Sequence, residues 1–368
     1  RHVAEITGKN TDLEIAYRET SVANSALGLA RDEAQHRAGE AHYQSYLGHL
    51  SAAEAMLQMH RVTSAAEHLS RCPEELRGWE WSYLSSRLDD GLGSLFEAGG
   101  MINDVAWSRD GKYLALASTD GLATVFSAEG TEPAVNLTGH EGPLRSVAFS
   151  PDGREVATAS EDATARIWRR ADGAERLVLR GHRSGLWGAD FSPDGALLST
   201  CSGDGRVIIW NPEDGRELMS IASRGVPVWS ARFSPGGDSL ATAGEDGWVH
   251  IYNLETGAEQ FALDTKLDPE LPSRAWPLAW HPGGQLLATG HASGSVSIWR
   301  PGRRDTASHI ASQGSPIRAI AFSPDGRRLA TGAEDTTIRL WDVFTGRRLG
   351  TLHGHDSSPR ALVFNPDG

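Results

Sequence analysis

The chain has 368 residues, with 35 basic against 48 acidic side chains and a formal net charge of −13. That sign argues against a protein that binds nucleic-acid phosphates or an anionic membrane surface. Its 39% hydrophobic and 23% charged residues suit a soluble globular chain rather than a disordered or membrane one. Two cysteines, Cys72 and Cys201, are too few for a disulfide framework. No signal peptide and no apolar run of roughly 18 residues is present. The chain begins with Arg1 in place of methionine, so it reads as a piece of a longer protein. The compartment stays open: cytoplasmic, or tethered to a membrane through sequence upstream.

No proline precedes Pro73, and this stretch is rich in Ala, Glu, Arg and Leu, which predicts helix. Ile15, Val22, Leu29, His36 and Tyr43 recur every seven residues, with Ala26 and Leu47 on a second seam. Residues 1–40 are therefore expected to be helical, as a weak coiled coil or a linker. Tyr46, Leu47, Leu50, Ala53, Met56 and Leu57 share one helical face, and Val62, Ala65, Ala66 and Leu69 form a second. Pro73-Glu74-Glu75 then opens another helix, with proline and acids in its first turn. That helix carries Leu76, Trp79, Trp81, Tyr83, Leu84 and Leu88. Residues 41–91 thus read as a helix hairpin plus a third helix, whose tryptophans dock it on the next domain. His42, His49 and His60 are expected to face solvent rather than a metal.

From Leu92 the pattern changes to short alternating runs separated by glycine turns, a strand signal. One quartet recurs: Ser-Pro-Asp-Gly three times, with the variants Ser-Arg-Asp-Gly, Ser-Pro-Gly-Gly, His-Pro-Gly-Gly and Asn-Pro-Asp-Gly. It ends at Gly111, Gly153, Gly195, Gly237, Gly284, Gly326 and Gly368, in steps of 42, 42, 42, 47, 42 and 42. Gly130, Gly173, Gly215, Gly257 and Gly346 keep the same beat. Proline presets φ at one turn position, aspartate can bond the neighbouring N–H groups, and glycine takes positive φ. Within one period, Leu144–Ser150, Glu155–Ser160, Ala165–Arg169 and Arg176–Leu179 read as four antiparallel strands. Such units cannot bury both faces alone, and stacking them radially gives a β-propeller.

Gly139-His140, Gly181-His182 and Gly354-His355, together with Trp341-Asp342, resemble the signature of the WD-repeat family over residues 92–368. The resemblance implies a buried His–Ser/Thr–Asp–Trp tetrad. It falls on His140, Thr158, Asp162 and Trp168, and one period later on His182, Thr200, Asp204 and Trp210. Thr242, Asp246 and Tyr252 have Arg224 where histidine belongs; Thr331, Asp335 and Trp341 have Gln313; Thr289, Ser293 and Trp299 lack the acid. The resemblance also implies six complete four-stranded blades and a truncated seventh. That seventh would be made of an outer strand Leu92–Glu97 and an inner strand Pro359–Asn365. In addition, Cys72–Asp90 (CPEELRGWEWSYLSSRLDD) is similar to the helical linker of bacterial proteins with a Ser/Thr kinase domain upstream.

The family binds partners on the rim where loops enter the innermost strands. Eight residues before each quartet glycine stand Asn103, Arg145, Trp187, Trp229, Trp276, Arg318 and Arg360. Tryptophan and arginine are the types enriched in binding hot spots. The stretch Asp264–Ser273, which carries the five-residue insertion along with Pro269 and Pro272, is expected to overhang this rim beside Trp276. Glu161, Glu245 and Glu334 stand at the neighbouring turn; Arg145–Glu161 and Arg318–Glu334 can equally be plain ion pairs, and the tryptophans channel packing. No Gly-x-Ser-x-Gly, His-Glu-x-x-His or Gly-x4-Gly-Lys occurs, so no catalytic residue, metal or cofactor is expected. The expected function is a non-catalytic scaffold or sensor for a protein or peptide, acidic or phosphorylated, and not for nucleic acid or direct membrane insertion. The alternative is the sensory end of a bacterial signalling Ser/Thr kinase.

Overall fold

The computed structural model describes residues 39–57, 68–86 and 100–367, apart from 131–132, 224, 266–274, 303–304, 311–312, 353–354 and 356. For residues 275–276 and 305–310 it describes the backbone alone. The chain divides into two units, Arg1–Glu97 and Ala98–Gly368. No helix of the described residues is long and apolar enough to cross a membrane.

In the first unit residues 39–57 are helical, and Tyr46, Leu50, Ala53 and Leu57 are buried with Leu69, Cys72 and Leu84. Leu47, expected on that face, is exposed. The segment after Pro73 is not one helix: a 3-10 turn at Glu74–Leu76 is followed by an α-helix at Trp79–Ser86. Arg77 between them is extended (ψ 102°), its side chain donating to the Cys72 carbonyl, while the Gly78 N–H donates to the Tyr46 hydroxyl. Trp81 is used inside this unit, donating to the Leu69 carbonyl beneath the Arg77 guanidinium. His42 is exposed beside Glu75, but His49 is half-buried against His68. Residues 1–38, including the heptad stripe up to His36, lie outside the described residues, as do His60 and the outer strand expected at Leu92–Glu97.

The second unit is six antiparallel four-stranded sheets, each in sequence order. Their innermost strands are β1 (Ile102–Trp107), β5 (Leu144–Phe149), β9 (Leu186–Phe191), β13 (Val228–Phe233), β17 (Ala275–Trp280) and β21 (Ile317–Phe322). The second blade has β5, β6 (Glu155–Ser160), β7 (Thr164–Arg169) and β8 (Glu175–Arg180), each within a residue of the expected limits. Consecutive innermost strands pack side by side from β1 to β21. This is a β-propeller of six complete blades.

The first six quartets each close the turn between a blade's first two strands. In the second, Ser150 donates to Asp152 at 2.6 Å, Asp152 accepts from the Arg154 N–H, and Gly153 stands at φ +68°. The cores lie between blades. Ala157, Ala159 and Ile167 of the second blade pack on Leu186, Phe191, Leu198 and Trp210 of the third, and the pattern repeats around the ring.

A seventh blade, even a truncated one, is not formed by the described residues. Residues 359–365 have no strand pairing. Leu362 and Val363 nevertheless join the six innermost strands around a central channel of about 440 Å³. Pro359 and Leu362 crowd Gly332 of the sixth blade, and Asn365 lies against Gly111 of the first. Among the described residues no sheet covers the outer face of the first blade. Ile102, Val105, Trp107, Leu114 and Phe126 are only half-buried, whereas their counterparts one period later, Leu144, Val147, Phe149, Val156 and Trp168, are buried.

That contrast sets a prediction. Leu198 is fully buried between blades and Leu114, two periods earlier, is not. Leu198→Ala should cost about 3 kcal/mol of unfolding free energy, and Leu114→Ala less than half of that. Urea denaturation of both variants checks this; equal losses would mean the first blade is as well covered as the third.

Candidate functional site

The expected tetrads come first because they hold the strands behind the rim. Trp168 donates from Nε1 to Thr158 Oγ1 at 2.8 Å, and that hydroxyl lies 2.7 Å from His140 Nε2. His140 Nδ1 lies 2.7 Å from Asp162 Oδ2. An indole can only donate and a carboxylate only accept, so all members are satisfied by a neutral imidazole that donates from Nδ1 and accepts at Nε2. Trp210, Thr200, His182 and Asp204 repeat the chain, at 2.8, 2.9 and 3.1 Å. The eight side chains form two closed hydrogen-bond chains, the histidines buried and the aspartates nearly so.

The fourth, fifth and sixth blades, which lack the loop histidine, keep a network by other means. In the fourth, His250 bridges Asp246 at 3.0 Å and Glu259 at 3.1 Å. In the fifth, Trp299 donates to Thr289, which lies 3.2 Å from His291 Nε2, itself 3.0 Å from Ser297. In the sixth, Gln313 Nε2 donates to Thr331 at 2.7 Å, and Arg339 bonds both the Gln313 carbonyl and Asp335. Sequence reading placed Gln313 at the histidine position but missed the roles of His250, His291, Ser297 and Arg339. For His250, Ser297 and Arg339 the signal is register: each lies on its blade's third strand, eight positions after the blade's threonine and opposite it in the ladder (Thr242↔His250, Thr289↔Ser297, Thr331↔Arg339). His291 instead ends the fifth blade's second strand.

At the mouth of the channel the ladders slip. Pairing of the first two strands skips Asn103, Arg145, Trp187, Trp229 and Arg318 in their respective blades, and skips Trp276 with Pro277 in the fifth. Each is the extra residue of a β-bulge, a device that turns a side chain out of the pleat. Pro277 has no N–H to offer a ladder at that point. The result is one depression of about 390 Å³ lined by Asn103, Arg145, Trp187, Trp229, Arg318 and Arg360. Six of the seven expected rim residues thus converge; the Trp276 side chain and the 266–274 insertion lie outside the described residues.

The rim is wired laterally. Arg145 donates through Nε to Glu161 at 2.7 Å and lies over the Trp187 ring, 4.8 Å from its centroid. Trp187 meets Trp229 edge to face at 4.6 Å. Gly203 occupies the turn position that Glu161 holds one blade earlier, and a Cβ there would lie 3.3 Å from the Trp187 indole nitrogen. Arg318 bonds Glu334 as Arg145 bonds Glu161. Both ion pairs therefore form, and the arginines still line the open depression. Arg360 is exposed and, among the described residues, hydrogen-bonds no carboxylate. Partial burial and the like charges of Arg145 and Arg318 hold its guanidinium below the ordinary arginine value. Asn103 is buried and donates to the Leu144 carbonyl, but among the described residues its Oδ1 has no partner, and neither has the Trp229 indole N–H.

Within the channel, Asp104 accepts from the Val105 and Val147 N–H groups and Asp190 from that of Phe233. Each carboxylate thereby ties one blade to the next. Burial raises both acids, Asp190 to about 6, against the opposing pull of Arg232. The Ser146 hydroxyl bonds Asp104, and the Cys201 thiol beside Asp190 and Arg232 is pushed up to about 12 by burial. The described residues hold no group of three or more potential metal ligands.

A family model described as WD domain, G-beta repeat, matches residues 92–127, 131–169, 173–211, 216–253, 278–300 and 306–342. The chain belongs to the WD-repeat family. Its propellers are generally non-catalytic and commonly bind proteins. A search of curated protein sequences finds no match to the chain.

The WD tetrads carry a pH dependence. Burial chiefly lowers His140 and His182 below the ordinary histidine value. Burial alone would raise Asp162, but hydrogen bonds from Thr164 and His140 outweigh it and bring it down to about 2. Below about pH 6.5 the unfolded chain binds protons that the folded histidines refuse, so stability falls with acidification; Asp162 adds its loss only below about pH 3.8. Gln313 shows that glutamine can hold the threonine without titrating. A His140→Gln/His182→Gln double variant should lose less stability than the wild type between about pH 7.5 and 5 in urea denaturation. Parallel pH profiles would contradict the neutral, buried state of these rings.

Proposed function

We propose that this segment is a non-catalytic interaction module that captures a protein or peptide on its rim, with the depression between Asn103 and Arg360 as the contact site. The observation that carries the reading is the convergence of bulged side chains on one opening. Aromatic and guanidinium groups combine broad apolar contact with directed hydrogen bonding, the composition of interface hot spots. Three arginines favour an acidic or phosphorylated peptide, and the overall charge of −13 speaks against nucleic acid. A signalling role, as the sensory end of a bacterial Ser/Thr kinase, rests on the Cys72–Asp90 motif alone. Open-reading-frame sequence upstream of Arg1 tests it, through a glycine-rich loop and a catalytic-loop aspartate.

The rim is tested by selecting random peptides on the wild-type chain and measuring them again on Trp229→Ala. Their affinity should fall at least about tenfold while folding stability changes by about 1 kcal/mol or less. Unchanged affinity with a large loss of folding stability would assign the tryptophans to channel packing instead.

A further inference from the structure

The charge of the depression is specific enough to narrow its ligand. Three guanidinium groups line it, from Arg145, Arg318 and Arg360. Glu161 and Glu334 are hydrogen-bonded to the first two, so each of those arginines arrives already neutralised. One positive charge, that of Arg360, is left without a hydrogen-bonded carboxylate among the described residues. Arg360 sits at the seventh position of the ring, on the segment between the sixth and first blades. Its ring neighbour Asn103 has a buried amide oxygen, and across the opening Trp229 a buried indole N–H, neither with a hydrogen-bond partner among the described residues. A buried donor or acceptor left unbonded is costly, so a ligand that supplies the complementary group gains from both.

We infer that the rim selects a peptide bearing a single carboxylate side chain, aspartate or glutamate, which pairs with Arg360 while the peptide's amide groups answer Asn103 and Trp229. This rests on the rim being the binding surface and adds the chemistry of what it takes. A carboxylate carries one charge and accepts a planar, two-oxygen pairing from a guanidinium. A phosphate near neutral pH carries about −1.5 to −2 charges. Matching it would require Arg145 or Arg318 to leave its glutamate, which would then stand uncompensated beside the ligand. Trp187 and Trp229, packed edge to face across the opening from Arg360, offer apolar contact to the peptide residues that flank the acid.

The probes are three pools of seven-residue peptides, randomised except for a central glutamate, glutamine or phosphoserine, titrated against the full chain by fluorescence polarisation. The glutamate pool should bind at least tenfold more tightly than the glutamine pool and at least as tightly as the phosphoserine pool. Arg360→Gln should bring the glutamate-to-glutamine ratio close to one, and Arg360→Lys should restore most of it. A phosphoserine pool bound tenfold more tightly than the glutamate pool overturns the inference, as does a ratio that survives Arg360→Gln. Either result leaves the rim standing as long as Trp229→Ala weakens every pool. Pools that bind Trp229→Ala as well as wild type, or no pool binding at all, would overturn the rim itself.

Discussion

An antiparallel ladder pairs one residue with one, and in this propeller every innermost strand breaks that rule at the same point. The strand enters from the loop, sets down one residue without a partner, and resumes its pairing. A side chain placed there is released from the alternation that sends its neighbours into the inter-blade core. With the blades arranged around a channel, such residues meet at one mouth. Removing a bulge would turn Trp187 or Trp229 into the pleat, against faces already filled by Phe191 and Phe233. The rim is thus a consequence of register, repeated once per blade.

Behind it, the buried polar chains obey a different constraint: each group must find a partner, but the partner need not be the same residue. A threonine and an indole recur in the second, third, fifth and sixth blades with the same Nε1-to-Oγ1 bond. What completes the chain varies between a loop histidine, a loop glutamine and a strand residue such as His250 or Arg339. Half-made networks are expensive in a dry interior. That expense explains why a blade that loses the loop histidine carries a replacement within hydrogen-bond reach.

Much of this was readable before any coordinates. The glycine quartets announced the turns, because proline, aspartate and glycine each meet a separate demand of the same tight geometry. Four strands of the second blade follow from those turns and their alternation, and the rim positions follow from counting back to the strand entry. Other features were out of reach because they depend on partners distant in sequence. His250 and Arg339 look like ordinary strand residues until the ladder sets them opposite Thr242 and Thr331. The break at Arg77–Gly78 depends on bonds to Cys72 and Tyr46, which no local propensity contains. The seventh inner segment reads as a strand in sequence but has no ladder, since strand assignment requires a pairing partner and apolar alternation alone does not supply one.

The rim joins two chemistries that are seldom useful apart. Its tryptophans provide contact area with little orientation, and its arginines provide orientation but, in exposed pairs, only about 0–1 kcal/mol of energy. The most direct measurement is a crystal structure of the chain with a peptide selected on it. The account predicts density for the peptide across the depression, against Trp187 and Trp229 and within hydrogen-bond reach of Arg360. Density on the opposite face or along an outer strand, with the rim side chains unmoved and uncovered, would contradict it.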